Sequence, residues 1–96
     1  MSQKREIECL ARLNDLNGAV DDVLQFLLSE KLVTKEEIKF IQHSSDQPKN
    51  LQATLKKLSS TDKLQLVEYE WTILPVERIK IHIVTDRATR EFTYNF

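Results

Sequence analysis

Cys9, Leu13, Leu16, Val20, Val23 and Leu27 recur at alternating spacings of four and three, the apolar stripe of a helix laid against a partner surface. Leu10, Leu24 and Phe26 widen that stripe. The face is then too broad for the seam of a two-stranded coiled coil and fits a helix packed in a bundle. Asn17-Gly18 interrupts the run, and Gly18 is the only glycine in the chain. Two readings follow from this turn signal. Either the helix breaks here and a second one runs over about residues 19–31, or one continuous helix tolerates glycine at about 1 kcal/mol. The break is favoured.

Thr34 is followed three residues later by Glu37, a capping box in which each side chain satisfies the other residue's backbone N–H. It predicts a helix from Lys35 to near His43, with Ile38 and Ile41 on its apolar edge and Phe40 widening it. Residues 44–48 read as loop and cap, and Pro48 suits a first helical turn. A helix over about residues 48–58 then buries Leu51, Leu55 and Leu58. Beyond residues 59–62 the period drops to two. Val67, Tyr69, Trp71 and Ile73 alternate with Glu68, Glu70 and Thr72 until Pro75, and Ile79, Ile81 and Ile83 alternate with Arg78, Lys80, His82 and Val84. After a turn at residues 85–89, residues 92–96 form a last strand with Phe92, Tyr94 and Phe96. The expected class is α+β: three to four short helices followed by a three-stranded antiparallel β-meander. One domain covers residues 1–96, its helical part about residues 4–58 and its meander about residues 64–96.

Ninety-six residues leave room for one core, and 41% apolar with 30% charged residues is the balance of a folded chain. A single cysteine, Cys9, excludes an intrachain disulfide and a Cys-rich zinc site and fits a reducing compartment. The N-terminus carries charge and no long apolar stretch, so neither a secretory leader nor a membrane span is expected. The protein reads as intracellular, cytoplasmic or nuclear. A net charge of −1 argues against strong non-specific nucleic-acid binding. The halves differ: residues 1–48 hold six basic and nine acidic side chains, residues 49–96 eight and six.

Catalytic and metal chemistry find little footing. Cys9 sits on a core stripe, where a cysteine reads as a small buried hydrophobe, and its only histidine partners for a nucleophile would be His43 and His82. Those two histidines lack the spacing of a helical zinc pair. Asp21-Asp22 and Glu36-Glu37 are neighbours that do not face each other on a helix, and acids in a first turn favour its dipole. One glycine permits no glycine-rich phosphate loop. No cofactor, metal or small-molecule substrate is expected.

The order of a helix over residues 19–31, extended Leu32-Val33, a capped helix, another helix and a hairpin is similar to that of a winged-helix domain, over roughly residues 19–84. The resemblance is one of architecture. In one respect it departs: the link from His43 to Pro48 is longer than the usual turn of a helix-turn-helix. It implies a recognition helix from Pro48, a wing tip at residues 85–89, and a nucleic-acid surface of Lys49, Lys56, Lys57, Arg78, Lys80, Arg87 and Arg90, with Gln47, Asn50 and Gln52 able to reach bases. Glu68, Glu70, Glu77 and Glu91 are interleaved with these cations, as on a solvated sheet face.

Tyr69, Trp71, Phe92, Tyr94 and Phe96 follow one strand face and read as its covered side. The edge of the last strand is where a partner strand would add. The reading that results is a non-enzymatic protein-interaction module, a small regulatory or adaptor subunit. It would bind another protein or itself through Leu10, Leu24 and Phe26 on the helical face, or Tyr94 and Phe96 on the terminal strand. The alternative is a winged-helix-like nucleic-acid-binding regulator. A strand pattern ending at Phe96 requires that this ring pack into the domain or that more chain follow.

Overall fold

The computed structural model describes residues 3–96, with side chains from Arg5 onward; the reading of the N-terminus as no leader includes Met1 and Ser2, which lie outside the described residues. Four helices precede three strands: α1 (Gln3–Leu13), α2 (Ala19–Ser29), α3 (Lys35–Gln42), α4 (Gln47–Ser60), β1 (Leu66–Thr72), β2 (Arg78–Val84) and β3 (Thr89–Asn95). The α+β class and the meander are as expected.

The first stripe is divided between two helices. Gly18 stands at the N-terminal end of α2 with φ 87°, a left-handed conformation that glycine adopts without steric cost. Asp21 and Asp22 then occupy the first turn of α2. Its end has no glycine, yet Lys31 takes φ 61°. Leu32 N–H donates to Leu27 C=O at 2.9 Å and Lys31 N–H to Leu28 C=O at 2.9 Å, the paired bonds of a Schellman motif. Asp62, with φ 63°, closes α4 in the same way, through Lys63 N–H to Leu58 C=O at 2.9 Å and Asp62 N–H to Ser59 C=O at 3.2 Å.

The capping box forms as expected: Thr34 Oγ1 accepts the Glu37 N–H at 3.1 Å, and Glu37 Oε1 accepts the Thr34 N–H at 2.7 Å. Helix α4 starts one residue before Pro48, because the Asp46 carboxylate accepts the Lys49 N–H at 3.2 Å. The link between α3 and α4 is therefore residues 43–46, within the span of an ordinary helix-turn-helix turn rather than longer.

The sheet runs in the order β1-β2-β3, antiparallel throughout. Val67, Tyr69 and Trp71 pair with Ile83, Ile81 and Ile79, which pair in turn with Arg90, Phe92 and Tyr94. This is the helix-covered face, and Ile79, Ile81 and Ile83 are fully buried at its centre. The other face carries Glu68, His82 and Glu91 in one row and Glu70, Lys80 and Thr93 in the next. Leu32-Val33 stays outside the sheet, whose third strand is β3.

Three expectations change. Leu10, Leu24 and Phe26 lie in the core and present no surface to a partner. Helix α1 packs on α2, α4 and β1 at once, and Phe26 of α2 meets Phe92 of β3 edge to face at 5.9 Å, so a wide apolar face is what these helices need to fill the interior. Strand β1 stops at Thr72, leaving Ile73 outside the aromatic face; Leu74 precedes a proline that has no N–H for the ladder. Strand β3 begins at Thr89 rather than Phe92. Thr85 Oγ1 accepts the N–H groups of Arg87 and Ala88 at 3.1 and 2.9 Å, a compact turn that returns the chain to the ladder at once.

The two left-handed positions give opposite expectations. Gly18→Ala, with open space around the added Cβ but a disfavoured φ, lowers stability by about 1–2 kcal/mol, whereas Lys31→Gly raises it by up to about 1 kcal/mol. Urea unfolding of both variants checks this, and equal effects would contradict it.

Candidate interaction surface

The chain between β1 and β2 carries Ile73, Leu74, Pro75, Val76 and Glu77. Ile73, Leu74 and Val76 are 56, 79 and 52% exposed; with Pro75 they make an apolar tip of four consecutive residues, where Phe40 and Leu66, the other exposed large hydrophobics among the described residues, stand singly. The Leu74–Pro75 peptide is cis.

The base of the tip is tied down through Glu77. Arg12 of α1 donates from Nε to Glu77 Oε2 and from Nη2 to Glu77 Oε1, both at 2.8 Å, a bidentate pairing whose geometry fixes both side chains. Trp71 Nε1 of β1 donates to Glu77 Oε2 at 3.1 Å, and the Phe96 N–H donates to the Glu77 carbonyl at 3.0 Å. The Arg12 guanidinium lies 4.2 Å above the centre of the Phe96 ring, a cation–π contact, while its Nη1 also donates to Asp15 at 2.9 Å. The Glu77 carboxylate thus joins α1 to β1, and its backbone carbonyl holds the residue that follows β3. The Arg12 hydrogen bonds hold the Glu77 carboxyl below the usual carboxylate range, helped by the Trp71 N–H. Phe96, expected either to pack into the domain or to continue into more chain, is half-buried against it.

The last strand is the second open feature. Phe92 is buried; Tyr94 is half-buried, and its hydroxyl donates to Asp22 Oδ2 at 2.7 Å. Burial, then this hydrogen bond, pushes the Tyr94 phenol pKa upward. Arg90 lies 4.8 Å over the Phe92 ring. Among the described residues no further strand lies beside the outer edge of β3. A groove of about 570 Å³ between α3 and α4, lined by Leu32, Val33, Phe40 and Lys57 among others, is the third feature; Phe40, expected on the apolar edge of α3, is exposed at its rim.

The basic residues are not gathered into one surface. Lys49, Lys56 and Lys57 lie exposed on α4, in the helical layer. Arg78 and Lys80 project from the opposite face of the sheet, where Arg78 Nε donates to Asn95 at 2.9 Å and Lys80 stands beside Glu70. Arg87 is in the β2–β3 turn, and Arg90 is on the helix side of β3.

Burial pushes the Cys9 thiol pKa up to about 11, against the pull of Arg5 in the other direction, so at neutral pH it is protonated and a poor nucleophile. His43 caps the C-terminus of α3, and His82 Nδ1 lies 3.9 Å from Glu68 on the outer sheet face. Among the described residues no three His, Cys, Asp or Glu side chains are placed to hold a metal ion, and no helix is long and apolar enough to cross a membrane. The chain matches no family model, no curated protein and no solved structure.

Sequence reasoning missed the tip because Ile73 fits the alternation of β1 and Leu74-Pro75 reads only as a strand end. The available signal was three apolar residues, Ile73, Leu74 and Val76, around a proline between two strands, more than a turn needs.

Two measurements follow. Glu77→Gln lowers the melting temperature at pH 7. Because the folded-state pKa of Glu77 is depressed, its contribution is present above the ordinary carboxylate pKa of about 4.3 and is lost as pH falls through the lowered folded value. The gap between wild type and variant therefore narrows in acid, and a gap independent of pH would contradict the assignment. The Cys9 thiol, raised in the folded state, stays unmodified by iodoacetamide at pH 8 in the native protein and reacts on unfolding in guanidinium; rapid native labelling would show that it is not enclosed.

Proposed function

We propose that this chain is a non-enzymatic protein-interaction module, a small regulatory or adaptor subunit, that docks a partner protein on the apolar tip between β1 and β2. The observation that carries the reading is the tip itself: Ile73, Leu74 and Val76 are exposed while the segment is anchored at Glu77 to α1, β1 and the C-terminal residue. Exposed apolar side chains that are already held in place lose little freedom on docking, so more of their burial is realised as affinity. A cluster of this kind, rimmed by polar residues, is the usual centre of a binding surface. The dispersal of basic side chains over both layers gives a phosphate backbone no concentrated footprint, which favours a protein partner over a nucleic acid.

The test compares the chain with Leu74→Asp and Ile73→Asp as bait in an extract of its source cells. A partner retained by wild type should bind each variant about tenfold or more weakly, while both variants melt at the wild-type temperature because neither residue is in the core. If the recovered proteins are the same for wild type and variants, or none is specific to the chain, the tip is not a docking site.

A further inference from the structure

The two edges of the sheet differ in how they could meet a strand of another molecule. We infer that β3 is a self-association edge, on which a second copy of this chain pairs antiparallel through its own β3 to form one continuous six-stranded sheet. This goes beyond the docking tip and stands on a different observation: the chemistry of the two strand edges.

The direction of the backbone groups on β3 follows from its neighbour. Thr85 N–H donates to Ala88 C=O at 2.8 Å and Phe96 N–H to Glu77 C=O at 3.0 Å, one at each end of the β2–β3 ladder. Hydrogen-bonded pairs alternate along an antiparallel ladder. Arg90, Phe92 and Tyr94 therefore turn their N–H and C=O groups toward β2, and Thr89, Glu91, Thr93 and Asn95 turn theirs outward. The register from Arg78↔Asn95 to Val84↔Thr89 is unbroken, so neither a bulge nor a proline interrupts this outward row. Natural edges are commonly protected by such devices or by charges.

Full overlap of two β3 strands places the two-fold axis at Phe92. Thr89 then meets the partner's Asn95 and Glu91 meets the partner's Thr93, and these are the outward-turned residues, so the row is hydrogen-bonded throughout. On the outer face every pair is neutral or a carboxylate beside a hydroxyl. On the helix side Phe92 meets its own copy, and Arg90 meets the partner's Tyr94, whose hydroxyl is bound to Asp22 in its own chain. That places a guanidinium beside a phenol and a carboxylate. No like charges oppose each other.

Strand β1 gives the opposite result. Pairing it with its own copy about Tyr69 sets Glu68 against Glu70, and an axis at Glu68 or Glu70 sets that residue against itself. Like charges directly opposite are destabilising. The β1 edge thus resists self-pairing in every register that overlaps most of the strand, while the β3 edge accepts it.

Sedimentation equilibrium of the chain over a wide concentration range tests this. Wild type should show a monomer–dimer equilibrium. Thr93→Pro removes an outward N–H without touching the β2–β3 ladder and should abolish the dimer. Thr93→Glu, which faces Glu91 of the second copy twice per dimer, should weaken it about tenfold, and Thr93→Lys should leave it equal or tighter. Circular dichroism melts confirm that the variants fold, and the two charge variants decide the matter if the proline variant does not. Wild type that stays monomeric throughout would overturn the proposal and leave the edge to an extended segment of some other protein. So would a dimer indifferent to the charge at position 93. Leu74→Asp should not alter this equilibrium, so the fates of the tip and of the edge are read separately.

Discussion

The burial of β2 is the constraint on which the rest of the architecture depends. Ile79, Ile81 and Ile83 are fully enclosed, and a central strand of a three-stranded sheet can be enclosed on that side only if helices cover its whole face. With four short helices available, one face can be covered and the other cannot. The helices accordingly spend their wide apolar faces on one another and on the strands, which is why Leu10, Leu24 and Phe26 are interior residues. What remains for interaction is chiefly what the sheet cannot hide, its outer face, its two edges and the loop at its end, together with the groove between α3 and α4 where Phe40 is exposed.

Features encoded by neighbouring residues were legible in the sequence. The break at Gly18, the box at Thr34 and Glu37, the start of β2 and the inward isoleucines all come from spacings of a few residues, where local geometry decides. The helix ends at Lys31 and Asp62 were not legible. A left-handed C-terminal cap is signalled by glycine or asparagine, and lysine or aspartate gives no such sign; here the Schellman bonds and the packing that follows them hold these residues in a conformation they would not choose alone.

The fixing of the tip was hidden for a different reason. Arg12 and Glu77 are far apart in sequence, and nothing around either residue indicates that they meet. Their pairing requires α1 to lie along the sheet beside Trp71, and that placement depends on the core. The tip's apolar residues were visible as letters, but their exposure and anchoring became apparent only once β1 was seen to stop at Thr72. Likewise, Phe96 looked like a strand end in need of cover, and its cover is the guanidinium of a residue in the first helix.

Register also decides the charge of the outer face. Read along the chain, Arg78, Lys80 and His82 form a basic row, which is the main support for a nucleic-acid surface. Read across the sheet, His82 stands between Glu68 and Glu91, and Lys80 stands between Glu70 and Thr93. Cross-strand neighbours lie closer together than next-but-one residues on the same strand, so Lys80 and His82 are felt chiefly in company with carboxylates, and Arg78, between Thr72 and Asn95, is left as a single basic group at the end of the row. The same alternation that makes β2 basic along its length makes the sheet close to neutral across its width. A nearly neutral outer face gives phosphates little purchase and gives other chains little to repel, and the edges and the tip are then the places where this fold differs most from its own surface.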